Sequence, residues 1–173
     1  MSVDGTIVGN EVRFERLLPG PIERVFAHLT EAEHLRAWFG PQATAIPPRV
    51  GARFDFGEPG KQGTIFGTVT RCEPPRLLAY TWEAVMPPDD PHRDAPVSEV
   101  TWQLTPRGDE VALLLTHRAV WADYLGRTMG GWHTLIERLR AVLAGREPEP
   151  FMDVFNRVIA DYERAARGPG SAS

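Results

Sequence analysis

Residues 131–143 read Gly-Trp-His-Thr-Leu-Ile-Glu-Arg-Leu-Arg-Ala-Val-Leu. Trp132, Leu135, Ile136, Leu139, Val142 and Leu143 recur three and four apart, an unbroken apolar stripe at the helical period. Glu137, Arg138 and Arg140 face away from it, and Gly145 stands where a helix commonly stops. Upstream, Trp121, Tyr124, Leu125 and Met129 extend a similar pattern. Gly130-Gly131 interrupts it, so a kink or a separate turn is expected there. The stripe from Trp132 to Leu143 is long enough to cover a sheet, and that helix must then form one wall of the core.

The sheet is legible ahead of it. Glu11 to Leu17 alternates polar and apolar residues, which points Val12 and Phe14 inward. Arg53 to Phe56 alternates, Thr64 to Arg71 does so more weakly, and Leu77 to Glu83 puts Leu78, Tyr80 and Trp82 on one face. Glu99 to Thr105 aligns Val100, Trp102 and Leu104. Pro106-Arg107-Gly108-Asp109 reads as a hairpin turn, and the returning strand aligns Val111, Leu113, Leu115 and His117. Strands separated only by turns argue for an antiparallel meander. Between the first strand and the others lie two short helices. Ile22, Val25, Phe26 and Leu29 mark the first, while Leu35, Trp38 and Phe39 mark the second, with Thr30 and Glu33 spaced as a capping box. A further helix carries Phe151, Val154, Phe155, Val158, Ile159 and Tyr162.

This order resembles the START-like (SRPBCC) superfamily with its helix-grip fold. The carrying residues are Pro21-Ile22-Glu23-Arg24-Val25-Phe26, Glu33 to Gly40, Glu73 to Trp82, Glu99 to Leu104 and Gly131-Trp132. Within that superfamily they look most like the branch named after the activator of the heat-shock protein 90 ATPase. The resemblance implies an α+β fold: a curved antiparallel sheet wrapped around a long C-terminal helix, with two short helices after the first strand. It also implies a cavity between sheet and helix that accepts an apolar or amphipathic small molecule. The expected organisation is a flexible N-terminus over residues 1–10 and a helix-grip domain over 11–145. Residues 146–167 form an additional helix, packed on the domain or in a dimer contact, and 168–173 a disordered tail.

Composition narrows the function. The 173 residues carry a net charge of −4, with 42% hydrophobic and 24% charged residues, so a generic nucleic-acid binder is disfavoured and a folded core is expected. No apolar run approaches the roughly 18 residues of a membrane span, and no secretory signal is read at the N-terminus. A cytoplasmic location is expected. Cys72, the single cysteine, excludes an internal disulfide and a thiolate-rich metal site. Asp89, Asp90, His92 and Asp94 lack the spacing of a metal loop. Neither a nucleophile elbow nor a glycine-rich phosphate loop is present. No cofactor is expected.

The candidate site is therefore a cavity lined by Phe54, Phe56, Tyr80, Trp82, Trp102, His117 and Trp132; together with Trp121 and Tyr124, its rings suggest a roomy interior that favours flat apolar ligands by stacking. Tyr80 or His117 is its polar anchor. Arg16, Glu99 and Gln103 are further polar candidates, although Glu99 and Gln103 face opposite Trp102 by parity. His133 and Glu137, four apart, suit a surface ion pair, and His28 and His34 sit on polar faces. The first expectation is a small-molecule-binding module without chemistry of its own, as a monomer or a homodimer. A second is a cyclase/dehydratase-like enzyme on a polyketide-like substrate, with His117 or Tyr80 moving a proton. A third is a co-chaperone-like or other protein-interaction module.

Overall fold

The alternating stretches are realised as seven antiparallel strands in one curved sheet. The computed structural model describes residues 5–92 and 96–167. Its strands are β1 (Thr6–Val8), β2 (Glu11–Pro19), β3 (Arg53–Phe56), β4 (Ile65–Glu73), β5 (Leu77–Ala84), β6 (Ser98–Arg107) and β7 (Glu110–Arg118), ordered β1-β2-β7-β6-β5-β4-β3 across the sheet. The helices are α1 (Ile22–Thr30), α2 (Ala32–Trp38), α3 (Leu125–Leu143) and α4 (Phe151–Arg167). Because β2 lies beside β7 while β3 is the far edge, α1 and α2 carry the chain across one end of the sheet.

Strand parity sets the core. Val12, Phe14 and Leu18 of β2, Val100, Trp102 and Leu104 of β6, and Val111, Leu113 and Leu115 of β7 are all buried on the face that α3 covers. From α3 come Met129, Trp132, Ile136, Leu139 and Leu143, also buried. Removing such side chains from water contributes about 1.5–3 kcal/mol each. The β6–β7 hairpin turns at Gly108, whose φ of +62° suits glycine.

Several expectations are corrected. Residues Thr6–Val8 are not part of a flexible lead: they pair with β2, Thr6 opposite Arg13, through a turn at Gly9. Three residues are too few to reveal a period. The Thr30–Glu33 capping box is absent. Thr30 closes α1, its hydroxyl donating to the Phe26 carbonyl at 3.0 Å, so that group is committed to its own helix. The third correction is at Gly130-Gly131, where no separate turn forms and α3 continues unbroken from Leu125 to Leu143. Gly130 is there for packing, since a Cβ on it would sit 3.2 Å from the Phe155 and Ile159 side chains of α4. Finally, His28 is buried; its Nδ1–H donates to the Arg24 carbonyl at 2.8 Å and its ring stacks on His34 at 4.3 Å.

Helix α4 lies along α3 and buries Val154, Val158 and Tyr162. Tyr162 meets Phe14 edge-on at 6.2 Å and its hydroxyl bonds His133 Nδ1 at 2.9 Å, in place of the expected His133–Glu137 pair. Residues 1–4 and the 168–173 tail lie outside the described residues.

Candidate functional site

Seven residues were candidates for the cavity wall, and the structure gathers them into one cluster. Phe54 packs on Phe56 at 5.0 Å and on Tyr80 at 5.1 Å, while Trp82 and Trp102 reach Trp132 at 5.3 and 5.6 Å. Trp38 adds a further ring to Trp102 at 6.0 Å. The seam beside Trp132 is thus filled with aromatic side chains, and Phe54, Phe56, Tyr80, Trp102 and Trp132 are buried packing residues that do not reach the cavity described next. Tyr80 is no free anchor either: its hydroxyl accepts from Trp102 Nε1 at 2.8 Å, and burial pushes the phenol above its usual range.

Trp82 and His117 do line a cavity. It has a volume of about 230 Å³ and sits at one end of the sheet, between the end of β5, the start of β6, the end of β7 and the first turn of α3. Ala119 turns the chain there with a φ of +57°, a strained value for a residue with a Cβ. This turn sends Trp121 and Tyr124 over the open strand ends, where they form an outer wall. His92, from the long β5–β6 loop, stacks on Trp121 with ring centres 4.2 Å apart and planes 16° apart. Its Nε2 lies 3.0 Å from Asp123 Oδ1. Of the acidic loop residues, Asp90 accepts from the His92 backbone N–H at 2.8 Å, and Asp94 lies outside the described residues.

At the floor of the cavity the hydrogen bonds have a fixed direction. Trp132 Nε1, which can only donate, lies 3.0 Å from His117 Nδ1. Nδ1 must accept, so the neutral ring carries its proton on Nε2 and donates it to Ser98 Oγ at 2.8 Å. Ser98 in turn donates to the Trp82 carbonyl at 2.6 Å, across the β5–β6 pairing of Trp82 with Ser98. His117 is 4% exposed and burial pushes its pKa down to about 3, so it stays neutral throughout the physiological range.

Ser98 and His92 escaped the sequence reading, which counted Trp121 and Tyr124 among the interior rings without naming them as lining residues. Ser98 shares parity with Val100 and Trp102, but the strand was started one residue too late to include it. Trp121 and Tyr124 were assigned to a helical stripe, and no periodicity exists in the loop that delivers His92. Of the other polar candidates, Glu99 and Gln103 lie on the opposite sheet face from Trp102. Glu99 there accepts from Thr70 Oγ1 at 2.8 Å. Arg16 shares the parity of Phe14 and reaches Glu137 of α3 at 3.8 Å. Among the described residues no cluster of three potential ligands for a metal ion is found.

Comparison with known families agrees with this architecture. The model of the family described as activator of Hsp90 ATPase homolog 1-like protein matches residues 19–144. The chain belongs to that family. A solution structure from Bordetella parapertussis is 32% identical, covers 91% of this chain and 87% of its own, and superposes with a TM-score of 0.69. The helix-grip fold is shared more widely. The crystal structure of CalU16 from Micromonospora echinospora is 20% identical over 91% of this chain and 89% of its own, with a TM-score of 0.61. The Aha1 dimer from Colwellia psychrerythraea is 18% identical over 77% of this chain and 95% of its own, with a TM-score of 0.65. No curated protein sequence matches the chain. Among the described residues, no helix is long and apolar enough to cross a membrane.

Proposed function

We propose that the protein is a binding module for a small apolar or aromatic molecule, held in the cavity at the end of the sheet. The observation that carries this reading is the pairing of an aromatic wall (Trp82, Trp121, Tyr124 and His92) with a buried, neutral polar floor at His117 and Ser98. Ligand sites are commonly built this way, an apolar surround with a few fixed polar groups. A volume of about 230 Å³ is below the roughly 300–1,000 Å³ of sites for drug-sized molecules, so the occupant has one or two rings. The same geometry disfavours the cyclase-like alternative. The Nδ1 lone pair of His117 is held by Trp132 and Nε2 already carries a proton, which leaves His117 without a free lone pair to act as a base.

A thermal-shift screen against one- and two-ring aromatic metabolites tests the reading. A binder selective for the folded state stabilises it by about 2.7 kcal/mol at a hundredfold excess over Kd. Thr128→Phe, which fills the cavity from α3, should abolish the shift while the protein remains folded. A folded wild-type protein that no compound stabilises would overturn the proposal.

A further inference from the structure

We infer that this cavity selects ligands bearing a hydrogen-bond donor, such as a phenol, an indole or an amide N–H, over ligands that can only accept. The inference rests on the binding role proposed above and concerns the class of molecule bound.

The reasoning starts from valence. A serine hydroxyl has one proton and two lone pairs. The Ser98 proton is committed to the Trp82 carbonyl at 2.6 Å, and one lone pair receives the His117 Nε2 proton at 2.8 Å. Neither direction can reverse. The Trp82 carbonyl has no proton to give, and Trp132 Nε1, 3.0 Å from Nδ1, keeps the imidazole proton on Nε2. The remaining lone pair on Ser98 Oγ is therefore what this chain of four groups offers the cavity: an acceptor. A ligand carbonyl, ether or carboxylate brought there would meet lone pair with lone pair, and its own desolvation would go uncompensated. A ligand O–H or N–H would complete the chain. Donation of the Ser98 proton to the Trp82 carbonyl raises the electron density on Oγ, which strengthens it as an acceptor.

Other polar groups on the wall do not reverse this preference. His92 Nε2 is turned to Asp123 and Glu83 accepts from Thr81 Oγ1 at 3.3 Å, while the Tyr124 and Thr128 hydroxyls can serve donors and acceptors alike. Glu83 adds a further acceptor, and a carboxylate on the wall disfavours anionic ligands.

The test uses 2-naphthol, a donor, and 2-acetonaphthone, an acceptor of similar ring size, with affinities read from the quenching of tryptophan fluorescence. The wild-type protein should bind 2-naphthol about three- to tenfold more tightly, the equivalent of one hydrogen bond. Ser98→Thr keeps the hydroxyl and should keep the preference. Ser98→Ala removes the acceptor and leaves His117 Nε2–H facing the cavity, so the preference should vanish or reverse. Equal wild-type affinities, or a preference that survives in Ser98→Ala, would overturn the inference while leaving the binding role standing. Failure of the folded wild-type protein to bind either probe would remove both. Should a variant not fold, the wild-type comparison decides alone.

Discussion

Trp132 Nε1 donates to His117 Nδ1 at 3.0 Å, and through that one contact the long helix dictates the protonation of a strand histidine. The two residues come from α3 and β7, which close the core from opposite sides. A helix–sheet contact that is ordinarily apolar thus carries a polar instruction to the cavity floor.

Replacing Trp132 by Phe would withdraw that instruction. The buried Nδ1 would lose its partner, and the expected cost is about 1–3 kcal/mol for the orphaned acceptor, added to the loss of indole packing. The imidazole would then be free to populate either tautomer. Nitrogen chemical shifts of His117 read this directly, and an unchanged Nε2–H tautomer in Trp132→Phe would show that Ser98 alone fixes the ring.

Acid should destabilise the protein through the same histidine. In the unfolded chain His117 takes up a proton near its ordinary 6.5, whereas the folded protein resists down to about 3. The unfolded state therefore binds more protons between those values, and stability falls as pH drops below 6.5, by up to about 1.4 kcal/mol per unit. His28, also lowered chiefly by burial, pushes in the same direction. His117→Gln should be less stable at neutral pH but lose stability less steeply between pH 6.5 and 4, as measured by urea midpoints. Parallel slopes for the two proteins would contradict the assignment.

Three glycines in α3 make opposite predictions within one helix. A Cβ on Gly126 would stand 2.8 Å from the backbone Cα of Glu163, so Gly126→Ala must push α4 away and should destabilise the protein despite the better helix propensity. Nothing lies within 4 Å of a Cβ on Gly131. Gly131→Ala should therefore stabilise by up to about 1 kcal/mol, the propensity difference itself. Gly130→Ala should fall between them. Thermal melts of the three variants provide the comparison, and a uniform stabilisation would mean that α4 gives way without cost.

Those glycines also mark where sequence reasoning stopped. Period-2 alternation separated Trp102 from Glu99 and Gln103 and aligned Leu115 with His117, because parity is a local property of a strand; which face turned inward was left to the packing. The stripe from Trp132 to Leu143 located the long helix for the same reason. Gly130 was misread as part of a breaker because it permits close approach by a helix about thirty residues later, which no local period encodes. Which inward rings border the cavity was illegible on similar grounds. Inward-facing aromatic residues were assigned to a wall, yet whether rings surround a space or fill it depends on how α3 seats on the sheet. The actual outer wall comes from Ala119 to Tyr124 and from His92, segments that have no alternation to read.

The packed seam has an optical consequence. Of the five tryptophans, Trp38, Trp102, Trp132 and Trp82 form a continuous run with ring centres 6.0, 5.6 and 5.3 Å apart. At such separations excitation passes readily from ring to ring, so light absorbed deep in the core can be emitted or lost at Trp82, on the cavity wall. An aromatic guest resting there would dim the whole run, giving the molecule a built-in, label-free gauge of occupancy.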